Sequence, residues 1–252
     1  MKQILVFAVL AGWASLGLAQ VQDSSSVQRT TVFKFLPIDL PFQTISIEIE
    51  QMINPKNSIT FGFGIPNQAS IIGKGSYMDK YGINIDPDLN CAIFGTTHIR
   101  TAFRHYTGRP KGPKGFYIEP YLKYQYIQGT AYFLGIENQT NKPYEGYMDF
   151  RLNTFNAGLQ FGAQFLIAKT ISLDFYFLGL EAGLLNGRVR SASPTSEEAT
   201  VMKTKIDDTI NKLPSFMRDQ ISVTQAGSRV KVKADNVPYP WIRGGISIGI
   251  AF

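Results

Sequence analysis

"TISIEIEQMINPKNSITFGFGI", residues 44–65, reads as two strands and the turn that joins them. In the first, Ile45, Ile47 and Ile49 alternate with Ser46, Glu48 and Glu50. In the second, Ile59, Phe61, Phe63 and Ile65 alternate with Thr60, Gly62 and Gly64. A period of two is the period of a strand, and the Asn-Pro-Lys-Asn-Ser run between them is turn chemistry. The two faces differ sharply. One is all isoleucine and phenylalanine; the other mixes glycine, hydroxyls and carboxylates.

The same pattern recurs along the chain. In "GFYIEPYLKYQYI" (115–127), Phe116, Ile118, Leu122, Tyr124 and Tyr126 share a face opposite Tyr117, Glu119, Tyr121, Lys123 and Gln125. "TFNAGLQFGAQF" (154–165) and "ISLDFYF" (171–177) repeat it. With strands near 30–36 and 93–105 and a last one at 240–252, eight strands are expected. Every second link is short: 54–58, 106–115 and 168–170. The intervening links include two long ones, 66–92 and 188–239. An even strand number, with short turns at one end and longer loops at the other, is the plan of a transmembrane barrel with both termini in the periplasm. The competing plan is a soluble eight-stranded barrel, apolar inside and polar outside.

The faces discriminate between the two. Alternation places Lys34, Glu48, Glu50, Arg100, Arg104, Glu119, Lys123, Asp174 and Arg243 on the face that carries the glycines. Glycines and charges are poor lining for an apolar cavity, and they suit a narrow polar lumen with the apolar face turned to lipid. The fold expected is therefore all-β, an eight-stranded antiparallel transmembrane β-barrel with a helical insertion in its last extracellular loop.

Composition agrees with an exported chain of this kind. Residues 1–19, "MKQILVFAVLAGWASLGLA", show one positive charge, an apolar run and a small-x-small end, the layout of a cleaved signal peptide. That leaves 20–252 as the barrel domain. No later stretch approaches the ~18 apolar residues of a membrane helix. Phe (18), Tyr (12) and Gly (23) are abundant while charged residues are only 17%, so strands are the means left to span a membrane. Cys91 is the only cysteine, which excludes an internal disulfide. Most of the net charge of +6 sits in 188–233, so a fold-wide nucleic-acid surface is not expected.

The final strand, "GGISIGIAF" (244–252), sets Ile246, Ile248, Ile250 and Phe252 toward lipid. A terminal aromatic behind alternating apolar residues resembles the recognition signal that the outer-membrane insertion machinery reads on barrel precursors. More widely, "FKFLPIDLPFQTISIEIEQMINPKNSITFGFGIPN", "RTAFRHY" and "GFYIEPYLKYQY" resemble a family of small outer-membrane barrel proteins of Gram-negative bacteria, over about 30–185. The resemblance implies that fold and the outer membrane as location; the family has no agreed activity, so it implies no mechanism.

Chemistry-bearing motifs are few. The nine inward charges are nearly balanced, which predicts ion pairs that close the lumen, with an ion path as the alternative. His98 points inward and His105 outward near the periplasmic end, and no G-x-S-x-G elbow exists, so neither histidine serves a lipid hydrolase well. "DPDLN" (86–90) imitates a calcium loop but has Cys91 and Thr97 where glycine and glutamate belong. No catalytic residue, metal site or cofactor is expected.

Within the long link, Met202, Ile206, Ile210, Leu213, Met217 and Ile221 recur at helical steps over 194–222. Thr195 and Glu198 form a capping box and Pro214 divides the run; a hairpin follows in "SVTQAGSRVKVKA". The function expected is that of a non-enzymatic barrel presenting loops 66–92 and 188–239 to a protein partner or the envelope. A narrow channel gated by the lumen charges is the alternative, and a lipid-active enzyme ranks third.

Overall fold

The structure, a computed structural model, describes residues 29–67, 91–108, 112–136, 143–192 and 195–252. The expected signal peptide, nearly all of loop 66–92 and the Asp86–Asn90 motif lie outside the described residues.

Among the described residues, nine strands form one antiparallel sheet: β1 (Thr31–Phe35), β2 (Thr44–Asn54), β3 (Asn57–Pro66), β4 (Cys91–Tyr106), β5 (Gly115–Ile136), β6 (Pro143–Ile167), β7 (Ile171–Ala192), β8 (Ile221–Ala226) and β9 (Arg229–Ala251). Sequential neighbours pair from β1 to β7; β7 then pairs with β9, and β9 returns to β1, with Val32 opposite Ala251 and Phe35 opposite Ile248. Eight strands thus close a ring. The ninth, β8, forms a hairpin with the start of β9.

Local chemistry explains the tight ends. Asn54 Oδ1 accepts the backbone N–H of Lys56 and of Asn57, each at 3.0 Å, and so templates the β2–β3 turn. Ala168 and Lys169 both have positive φ (50° and 61°), the backbone of a two-residue turn that suits the twist of a hairpin.

Burial is inverted relative to a water-soluble sheet. The largest side chains with no appreciable exposure include Arg104, Lys34, Glu50 and Glu119, whereas Phe116, Phe155, Phe165, Phe175 and Ile250 stand exposed on the outside. The ring encloses polar groups and shows isoleucine, leucine and phenylalanine to its surroundings.

The ring is uneven in height. β1 is 5 residues long, while β6 has 25 and β9 has 23. From Pro238 to Ser247, β9 pairs with β7 alone among the described strands, because β1 has already ended. A 3-10 helix, Pro37–Phe42, stands in the missing place against β2 and β9. Prolines at 37, 41, 238 and 240 flank this seam and remove N–H groups that no neighbouring strand would accept.

Three expectations need correction. The link expected at 188–239 is in large part strand: β7 continues to Ala192 and β9 begins at Arg229. The apolar alternation also leaves 136–149 as a link between strands, and this is likewise shortened by strands that end at Ile136 and restart at Pro143. At 188–192 and 229–233 the reason is that the outward residues Arg188, Arg190, Lys231 and Lys233 are charged, so the apolar outer face that marks the lower strands is missing.

The helical run expected over 194–222 is divided at Pro214, as its sequence implies, into α1 (Ser196–Asn211) and α2 (Ser215–Arg218), with Pro214 capping the second, but it ends at Arg218. Met202, Ile206 and Ile210 lie half-buried on α1, Leu213 falls in the link, and Met217 is on α2. Ile221 is not helical: it opens β8 opposite Ala234. The Thr195–Glu198 capping box is present, both hydrogen bonds measuring 3.2 Å. α1 rests on the β8–β9 hairpin, where Gln225 Nε2 donates to Ser196 O (3.1 Å) and Thr200 Oγ1 (3.0 Å).

Candidate functional site: a charge network inside the ring

The interior is built in tiers. At the level nearest the short turns, Lys34 Nζ lies 2.8 Å from both Glu50 Oε2 and Asp174 Oδ2, and donates to Gln164 Oε1 at 2.8 Å. Arg104 Nη1 meets the same Asp174 oxygen at 2.7 Å, and its Nε pairs with Glu119. Tyr106 and Ser58 hydroxyls donate to Glu50 Oε1 at 2.6 Å, and the Tyr117 hydroxyl donates to Asp174 Oδ1 at 2.6 Å. These groups come from β1, β2, β3, β4, β5, β6 and β7, so the tier ties seven strands of the ring together.

One tier higher, Arg100 reaches Glu48 with Nη1 (2.7 Å) and Glu119 with Nη2. Glu119 is therefore shared between two guanidiniums. Planar donors suit this role, because a guanidinium presents several N–H groups at fixed angles. Each guanidinium also lies over a ring, Arg100 4.5 Å from the centroid of Tyr121 and Arg104 3.8 Å from that of Tyr117.

The uppermost tier holds a carboxylate absent from the alternation reading, Glu181. Its Oε2 accepts from the Tyr121 hydroxyl (2.9 Å), its Oε1 accepts from Asn156 Nδ2 (2.5 Å), and Lys123 Nζ stands 3.6 Å away. Arg243 lies across the rings of Tyr121 and Tyr176, 5.5 and 4.9 Å from their centroids. Glu181 faces inward because of a bulge. Gly162 pairs with Tyr176 but Phe161 pairs with Leu178, so β7 carries one extra residue at Phe177, and Phe177 and Leu178 both point outward. Parity shifts by one beyond that point. The apolar pair Phe177-Leu178 was the available sequence signal.

Glu181 also completes the charge balance. Lys34, Arg100, Arg104, Lys123 and Arg243 face Glu48, Glu50, Glu119, Asp174 and Glu181, five against five. Small residues give the larger ones room. A methyl group at Gly158 or Gly162 would occupy the space held by the rings of Tyr121 and Tyr117.

The remaining singled-out residues fall elsewhere. His98 is on the inner face, opposite Gly64 of β3 and Gln125 of β5. His105 is exposed, its Nδ1 2.7 Å from Asn57 Oδ1. Ile246, Ile248, Ile250 and Phe252 project outward from the end of β9, and Phe252 O accepts backbone N–H groups of Thr30 and Thr31 at 3.1 Å. Among the described residues, no group of three or more His, Cys, Asp or Glu is placed to hold a metal ion.

Comparison with known proteins adds no relative: no family model, curated protein or solved structure matches the chain.

Proposed function

We propose that this chain is an outer-membrane β-barrel whose interior is sealed by ion pairs, and that it acts without enzymatic activity as an anchor presenting its surface segments to a partner or the envelope. The observation that carries this reading is the pairing of an apolar exterior with an interlocked charged interior. On β6 the exposed apolar side chains run from Ile167 to Phe155. At about 3.4 Å per residue and a tilt of roughly 40°, that band is about 30 Å tall, enough to cross the hydrocarbon layer such barrels span. A ring of eight strands is narrow enough to be filled by its own side chains. Here those side chains are charged pairs and tyrosines that hold one another.

The tall wall of β6, β7, β8 and β9, with α1 against it, is then the part that reaches beyond the membrane. The short turns, including Ala168-Lys169, face the periplasm. A topology experiment tests this directly. With Cys91 replaced by serine, Thr209→Cys on α1 should react with a membrane-impermeant maleimide in intact cells. Lys169→Cys should react only after the envelope is permeabilised. Equal labelling of both positions in intact cells, or of neither, overturns the reading.

A further inference from the structure

Above the apolar band, the outer face of the tall wall changes character over a few residues. On β6 and β7 the outward positions pass from Phe155 and Leu184, both exposed, through Asn153 and Asn186 to Arg151 and Arg188. Arg151 pairs across the sheet with Arg188, and Arg188 with Lys233 of β9, so three cations stand side by side in one row. The next row holds Arg190 between Asp149 of β6 and Lys231 of β9, and Arg229 follows beyond it. Like charges placed directly opposite each other destabilise a sheet. Two acids share the face: Asp149, whose Oδ1 accepts from Thr130 (2.7 Å), and Asp235, 2.5 Å from Lys233. Six cations therefore meet two carboxylates.

The inner face of the same strands is different: it holds Val189, Val230 and Val232, with Val230 buried. The cations are thus confined to the outer side of the wall. They line two shallow hollows of about 520 and 380 Å3, the first between Arg190, Arg229 and Lys231, the second between Arg151, Arg188 and Lys233, with Asp149 on the edge of both and Asp235 on that of the second. Arg151 is four residues above Phe155, which at strand rise and tilt is roughly 10 Å above the last apolar side chain. That is the depth of a lipid phosphate rather than of bulk solvent.

We infer that this outward basic face docks the phosphates of lipopolysaccharide headgroups in the outer leaflet. The inference rests on the membrane reading above and adds the lipid class to it. An acidic protein partner would satisfy the charge, but it has no reason to be met directly above the hydrocarbon edge, behind a tier of asparagine amides.

The test uses the chain from residue 20 onward, refolded and inserted into phosphatidylcholine vesicles, with bis-phosphorylated lipid A as the probe. Binding is compared with lipid A stripped of its phosphates, and between wild type and the triple variant Arg188→Gln, Arg190→Gln, Lys231→Gln. These side chains are exposed, so folding, read from gel mobility without heating, should be unchanged. Wild type should prefer the phosphorylated lipid, and the triple variant should bind it roughly 100-fold more weakly. Equal binding of the stripped lipid, equal affinity in the variant, or full competition by inorganic phosphate or polyglutamate overturns the inference. A chain that a carbonate wash removes from vesicles would instead overturn the membrane reading, so the two failures are distinguishable.

Discussion

Arg104 on β4 and Asp174 on β7 meet inside the ring, Nη1 to Oδ2 at 2.7 Å, and Lys34 on β1 donates to the same oxygen at 2.8 Å. One carboxylate is therefore held by cations from opposite parts of the wall, with Tyr117 on its other oxygen. All four residues are buried, Arg104 at 1% exposure and Lys34 at 0%. Removing one member leaves its partners charged in a low-dielectric interior. Replacing the whole set with apolar side chains removes the desolvation penalty along with the attraction.

Asp174→Asn should accordingly destabilise the folded chain by about 3–5 kcal/mol, seen as a lower urea midpoint for loss of the folded gel band. The combined variant Lys34→Met, Glu50→Gln, Arg104→Met, Asp174→Asn removes two charges of each sign, because Glu50 pairs only with Lys34 and Arg104, and should recover most of that loss. A quadruple variant no more stable than Asp174→Asn would show that the pairs contribute net attraction beyond their desolvation.

Glu181 should behave as a full member of the network. Glu181→Gln leaves Lys123 without its acid and should cost about 1–3 kcal/mol in the same assay. Adding Lys123→Met should restore part of it, because the charges are then four against four. Independent, additive effects of the two substitutions would mean that the 3.6 Å pair carries no coupling.

Close packing makes a third prediction. Gly158→Ala pushes a methyl group into the ring of Tyr121 and should destabilise by about 1–3 kcal/mol. In the Tyr121→Leu background the same glycine change should be nearly neutral. A penalty that persists there would place the strain in the backbone instead.

The β6–β7 turn offers a gain. Lys169 has φ of 61° without being glycine, so Lys169→Gly should relieve backbone strain and raise the urea midpoint, by an amount equivalent to about 0.5–1 kcal/mol. An unchanged or lower midpoint would mean that the lysine side chain offsets its own strain.

How far the sequence leads depends on what interrupts its alternation. In β2, β3, β5 and the lower part of β6, isoleucine and phenylalanine alternate with polar residues without a break, so strands and faces are legible from the residues alone. Parity turns Lys34, Glu48, Glu50, Arg100, Arg104, Glu119, Lys123, Asp174 and Arg243 to one face, and all nine lie inside the ring. Glu181 escapes because the extra residue at Phe177 inverts parity for the rest of β7. The upper strands escape for another reason: beyond Phe155 and Leu184 the outer face becomes cationic, and Pro238 and Pro240 read as strand breakers. They are tolerated where β9 is an edge. Ile221 fits the helical stripe and a strand equally well, and only its pairing with Ala234 decides between them.

The most direct measurement of the central claim, a sealed interior, is planar-bilayer conductance of the chain from residue 20 onward. It would be run beside a variant with 195–219 replaced by a short Gly-Ser linker and beside Glu119→Ala. A sealed ring gives silence from the intact chain and from the linker variant, because the seal is in the ring and not in α1. Glu119→Ala should show brief openings, since it frees Arg100 and Arg104 of their shared carboxylate. Steady conductance from the intact chain would overturn the sealed interior and make it a channel.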